Sequence, residues 1–131
     1  MTVRRLRHLL LAGSALLTFT TGGYVFAAQP TPAEDEIDHL LQFVASSSCT
    51  FIRNGTEFAA DKARDHLQSK YRFVGSRIST AEEFIRYLAT QSSMSGEPYH
   101  VHCGKADALA GVWLTTELNR YRKSPHVQAS R

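Results

Sequence analysis

Cysteine is almost missing from this chain of 131 residues: there are two, Cys49 and Cys103. They form no Cys-x-x-Cys, which excludes a thioredoxin-like redox site. No Gly-x-Ser-x-Gly, no paired catalytic carboxylates and no phosphate-binding glycine loop is present, so no motif specifies a reaction. No internal repeat or low-complexity stretch stands out. No apolar run reaches the ~20 residues of a membrane span. The longest, Leu9 to Phe19, is broken soon after by Thr20, Thr21, Gly22 and Gly23.

That run has another use. Arg4, Arg5 and Arg7 precede it, and Val25-Phe26-Ala27 follows with the small residues of a cleavage site. This is the layout of an export signal, with cleavage expected after Ala27. Arg7 stands where a twin-arginine signal is apolar, and no cysteine near the cleavage site suggests a lipid anchor. Cleavage also removes any excess of charge. With Arg4, Arg5 and Arg7 gone, 12 of the 15 basic residues remain against 12 acidic ones. A neutral domain offers no electrostatic case for nucleic acid or for a lasting membrane association. The expected location is the periplasm. An oxidising compartment and a single available partner point to a Cys49–Cys103 disulfide.

The chain after the leader reads as one small domain, residues 28–123, with a flexible tail over 124–131. Thr31-Pro32-Ala33-Glu34 is a capping box with proline at the first helical position. Ile37, Leu40, Leu41 and Val44 then recur on one helical face. Cys49 to Arg53 reads as a strand, with Cys49, Phe51 and Arg53 on one side. Asn54-Gly55 is a turn, and helical patterning resumes at Glu57, so a hairpin is not expected. The second helix runs from Glu57 to Tyr71. Ser79-Thr80-Ala81-Glu82 reads as a second capping box, opening a helix with Ala81, Phe84, Ile85 and Leu88 inward and a Glu82–Arg86 pair outside. A loop, Ser92 to Pro98, leads to a second strand, Tyr99 to Cys103, with Tyr99, Val101 and Cys103 on one side. Gly104 to Gly111 reads as a loop, and Trp113, Leu114, Leu118 and Tyr121 carry a last helix. The fold class is α+β: about four helices, a small two-stranded sheet and one disulfide.

Phe51-Ile52-Arg53-Asn54-Gly55, then His66-Leu67 with Lys70, Thr80 to Ile85, and Ser92-Ser93-Met94-Ser95-Gly96-Glu97-Pro98-Tyr99 follow one another in that order. This string resembles the YfeK-like family of small exported proteobacterial proteins, a domain of unknown function. The resemblance covers nearly all of the mature chain, ending at Trp113-Leu114 and Tyr121-Arg122. It implies export and no particular activity. It also implies that a disulfide would reinforce this member rather than provide the family's chemistry.

The polar residues of that string, Arg53, Asn54, His66, Lys70, Ser92, Ser93 and Ser95, together with Tyr99, are the candidates for an anion- or peptide-binding surface. Their bland alternative is a turn at Asn54, a helix stop at the serines and a core-edge hydrogen bond at His66. His100 and His102 share a strand face, a spacing that can hold a metal, but no third ligand is placed beside them. Cys103 points the other way, so neither a metal nor another cofactor is expected. The resulting expectation is a non-enzymatic module that binds a small ligand or an envelope protein. An enzyme using His66 with Arg53 or a serine of the Ser92–Ser95 loop is one alternative, and a structural envelope protein is another.

Overall fold

A computed structural model describes residues 27–125. The expected leader, residues 1–27, and the tail from Ser124 lie outside this range except at its margins. Among the described residues no helix is long and apolar enough to cross a membrane.

Helix α1 spans Pro32–Ser46. Its capping box is complete: Thr31 accepts from the Glu34 amide, and the Glu34 carboxylate accepts from the Thr31 amide at 2.6 Å. The hydrogen bonds from the Thr31 backbone and side chain hold the Glu34 carboxyl below its usual value. The stripe Ile37, Leu40, Leu41 and Val44 is buried as its spacing requires.

The sheet corrects the sequence reading. It has four antiparallel strands in the order β2-β1-β3-β4, not two. Strand β1, Thr50–Arg53, turns at Asn54-Gly55 into β2, Thr56–Ala59. Asn54 and Gly55 both take positive φ, 49° and 75°. That is the sign pattern of a type I′ turn, whose twist matches the flanking strands. The four residues after it therefore pair with β1. Helix α2 begins at Ala60 rather than Glu57 and ends at Val74. The second correction is parallel to the first. Strand β3, His100–Cys103, returns as β4, Ala106–Leu109, where a loop was expected. Gly104 alone has positive φ there, 64°, which fits a type II′ turn. Ala-Asp-Ala-Leu has little β-propensity of its own. Register with β3 makes it a strand, because side-chain packing on the sheet outweighs intrinsic preference.

Between the hairpins, a short 3₁₀ turn at Gly75–Arg77 leads to α3, Ala81–Phe84, which continues as a π-helical turn, Ile85–Ala89. The cap is Thr80, one residue later than expected: its hydroxyl accepts from the Glu83 amide, while the Glu83 carboxylate accepts from Ser79. The expected Glu82–Arg86 pair is absent. Glu82 binds Arg122 across the fold, and Arg86 lies over the Tyr87 ring. Helix α4 spans Ala110–Arg122. The core is built from α1, α2, α3 and α4, with Phe84, Ile37, Leu40, Leu114, Leu118, Val44 and Val101 fully enclosed.

The chain is one design carried out twice, a repeat that the sequence does not display. Helix, hairpin and helix follow as α1-β1-β2-α2 and again as α3-β3-β4-α4. Strands β1 and β3, strands β2 and β4, and the starts of α2 and α4 are all displaced by 50 residues. Yet only Ala60, Tyr71 and Arg72 recur at that distance, as Ala110, Tyr121 and Arg122. At the centre of the sheet Phe51 stands opposite Val101, its own counterpart. A local two-fold axis therefore passes between them. The same register sets Cys49 opposite Cys103, and the two are bonded with Cα atoms 4.4 Å apart. That spacing is the close approach of a non-hydrogen-bonded antiparallel pair.

Candidate functional site

The two-fold relation gives the disulfide a counterpart. Cys103 corresponds to Arg53 and Cys49 to Tyr99, so the symmetry-related corner of the sheet carries a cation and a phenol instead of a cystine. Arg53 ends β1. Its guanidinium lies 4.7 Å from the ring centre of Phe58 on the neighbouring strand, a diagonal cross-strand contact. One of its terminal nitrogens is 2.8 Å from His66 Nδ1 and 3.0 Å from Nε2. His66 projects from the second turn of α2, and its Nε2 is also 3.4 Å from the Tyr99 hydroxyl. Arg53 can only donate, so the ring nitrogen of neutral His66 that carries no proton accepts from it.

Lys70 stands one helical turn beyond His66. Its Nζ donates to the Leu88 carbonyl at 2.7 Å and lies 5.4 Å from the Tyr99 ring centre. Burial first, and then the charges of Arg53 and Lys70, hold His66 below its ordinary value. Burial and then Arg53 do the same to Lys70. Burial pushes the Tyr99 phenol up, with Arg53 pulling weakly the other way. The corner therefore contains two cations, a neutral imidazole and a protonated phenol at neutral pH.

The pairing of these cations sets them apart. Arg53, Arg64, Lys70 and Arg122 are the half-buried cationic side chains among the described residues. Arg64 meets Asp65, and Arg122 meets Glu36 and Glu82. Arg53 and Lys70 meet no carboxylate. The other half of the fold shows why. There Arg120 corresponds to Lys70, and Glu117 corresponds to Leu67. Glu117 is buried and binds both Arg120 and His39. Burial alone would raise the Glu117 carboxyl, but those two partners outweigh it and leave it lowered. In the first half Leu67 supplies no carboxylate, and the charge of Lys70 stays open.

The remaining candidates form a separate group. Asn54 accepts from Ser95 Oγ at 2.6 Å and donates to Ser92 Oγ at 3.5 Å. Ser92 also accepts from the amides of Met94 and Ser95. These contacts tie the loop after α3 to the β1–β2 turn. Ser93 is exposed and lies outside both groups. No serine of this loop is hydrogen bonded to His66. His100 and His102 are exposed on the sheet, and His102 pairs with Asp107 on β4. Among the described residues no three histidine, cysteine or acidic side chains gather to hold a metal ion.

A half-open cavity of about 50 Å³ adjoins the cationic corner. Its surface is almost wholly apolar, and Arg53, His66 and Tyr99 line it together with Phe51, Phe58, Ala63 and Leu67. Phe58 and Ala63 were not recognised from the sequence. Phe58 falls in the stretch first read as helix, and nothing marks a solitary alanine as the floor of a cavity.

Comparison with known proteins accords with the resemblance seen in the motif string. The model of a family of unknown function, DUF5329, matches residues 31–122. The uncharacterised protein YfeK of Salmonella typhimurium is 39% identical over 67 residues, which cover 50% of this chain and 56% of that protein. The match thus spans little more than half the length of this curated relative. No solved structure matches significantly. With its helices, its doubled hairpin and its motif string all inside the matched region, the chain belongs to DUF5329, a YfeK-like family of unknown function.

Proposed function

We propose that the protein is an exported, periplasmic binding module that takes a small anionic ligand at the Arg53–His66–Lys70–Tyr99 corner. One observation carries this reading. Two half-buried cations face one another with no carboxylate, while every comparable cation among the described residues has one. Two unneutralised charges held partly out of water are costly, and an incoming anion offsets that cost. The guanidinium fork suits a carboxylate or phosphate, and Lys70 adds a point charge beside it. A binding role is favoured over catalysis because the free nitrogen lone pair of His66 is already occupied by Arg53. Ser92 and Ser95 are committed to Asn54 and to the loop backbone, and Ser93 lies outside the corner. The disulfide supports an oxidising compartment, in line with the leader expected at residues 1–27.

The test starts from protein recovered from a periplasmic extract, with an intact mass beginning at Ala28. Calorimetric titration with small carboxylates and inorganic phosphate is expected to show saturable binding that weakens with salt. Arg53→Ala and Lys70→Ala are each expected to weaken it at least about tenfold, the effect of losing one charge-assisted hydrogen bond. Arg120→Ala, the counterpart that already has a carboxylate, should leave it unchanged. Equal loss in all three variants would show that bulk charge, not this corner, attracts the anion.

A further inference from the structure

The two corners of the sheet differ in what occupies the space beneath them. Under the disulfide, Trp113 from the first turn of α4 fills the gap. Its ring centre is 4.4 Å from that of Phe43 and 5.6 Å from that of Phe51. The residue at the matching position of α2 is Ala63. Phe51 lies beside the axis and serves both corners. So the fold has one corner closed covalently and plugged by an indole, and one corner left unbonded with a single methyl group in the indole's place. The cavity of about 50 Å³ is what that exchange leaves open. Its lining is almost wholly apolar and includes Val44, Phe51, Ala63, Leu67, Ala89 and Leu114, with Arg53 and His66 among the same lining residues.

We infer that the cavity receives the apolar end of the ligand whose anionic end lies on Arg53 and Lys70, and that the ligand is a carboxylate on a short aliphatic group. This rests on the anion-binding reading above and narrows it. The apolar walls reject a second charge or an extended polar chain, because a buried polar group without a partner is penalised. Volume sets the size. A cavity that takes benzene has about 150 Å³, three times the space here, so an aromatic ring does not fit without displacing side chains. A branched end of three carbons, an isopropyl group, is smaller than a ring and does. Arg53 is itself a lining residue of the cavity, so a carboxylate on its guanidinium remains attached to a chain that enters only by its end. Free short-chain acids have this chemistry, and so does the C-terminal valine or leucine of a peptide.

Titrations of the periplasmic protein with acetate, isovalerate, benzoate, isobutylamine and N-acetyl-glycyl-leucine test the inference. Isovalerate is expected to bind at least about tenfold more tightly than acetate, since each methylene removed from water is worth about fourfold. Benzoate should bind no better than acetate, and isobutylamine not at all. If the acetylated dipeptide outbinds isovalerate, the source is a peptide C-terminus. If isovalerate outbinds it, the source is a free acid. Ala63→Trp is expected to bring isovalerate down to the affinity of acetate while acetate itself changes less than twofold. Ala63→Val is the milder filling should the tryptophan perturb folding, and it should act in the same direction. Equal binding of acetate and isovalerate, or isovalerate affinity untouched by both fillings, overturns this inference and leaves the anion site standing. No binding of any carboxylate overturns both.

Discussion

His66 is a histidine held neutral by its company, and acid acts on it unevenly in the two states of the chain. In the unfolded chain it regains its ordinary value of 6.5, whereas in the folded protein that value is lowered by burial and by Arg53 and Lys70. As pH falls through about 6.5, the unfolded state takes up this proton first, so stability declines with pH until the folded value is also passed. Thermal melts from about pH 7.5 down to about pH 5 are expected to show that decline. His66→Gln, which keeps a polar contact for Arg53 but cannot titrate, should show less of it. The gap between the two proteins then changes with pH; a constant gap would mean that His66 titrates normally in the folded state. A bound carboxylate should oppose the effect, because a third positive charge at the corner becomes tolerable once an anion sits among Arg53, Lys70 and Tyr99. At this scale the sequence hid two partnerships, those of Glu36 and Glu117. Nothing in the sequence marks either as buried. Each is buried because a partner comes from a distant helix: Arg122 of α4 for Glu36, and His39 of α1 for Glu117.

At the scale of elements the hairpins decide the architecture. Asn54 and Gly55 hold positive φ so that the chain can reverse within two residues. A Cβ built on Gly55 meets nothing within 4 Å. Gly55→Ala is therefore a test of backbone strain alone, without a clash. It should cost about 1 kcal/mol in urea denaturation, and no more than about 2 kcal/mol. Asn54→Gly should be milder in the turn itself but should free Ser92 and Ser95, and with them the loop after α3. Amide hydrogen exchange from Ser92 to Glu97 is expected to quicken in that variant. Unchanged protection would show that the loop is held by its own backbone and the Gln91–Pro98 bridge. The helical reading of Glu57 to Ala59 failed for a physical reason. Helix propensity is worth tenths of a kcal/mol per residue, and a ladder of strand pairs formed by a well-matched turn exceeds it.

On the scale of the whole molecule, the disulfide joins the two halves across their local axis. It closes a loop spanning 54 positions, for which chain entropy gives a stabilisation of roughly 4 kcal/mol. Cys49→Ser with Cys103→Ser is expected to lower the unfolding free energy by about 3–4 kcal/mol. The central β1–β3 ladder and the helical core remain, so the fold should survive. Denaturant titration with far-ultraviolet circular dichroism checks both parts. Because the binding corner lies across the axis from the cystine, carboxylate affinity in the folded double mutant should stay within about twofold of wild type. A loss of binding larger than that would mean that the two corners are coupled through β1 and β3.

Local chemistry was decided by the sequence alone. The capping box at Thr31, the buried stripe of α1 and the inward sides of β1 and β3 follow from residues near one another in the chain or from simple alternation, and the cysteine pairing follows from there being only two cysteines. The motif string named Arg53, His66, Lys70 and Tyr99 only among eight candidates, and the fold alone separates them from Asn54, Ser92, Ser93 and Ser95. Tertiary structure alone decided what depends on partners far away. A strand such as Ala106–Leu109 exists only because β3 offers it a register. The two-fold repeat is carried by backbone geometry, while the paired positions diverged in almost every side chain. That divergence is what makes the corner a site. Leu67 in place of a glutamate leaves Lys70 unneutralised, and Ala63 in place of a tryptophan leaves the cavity empty. Each is an unremarkable residue until the other half of the fold shows what could have stood there.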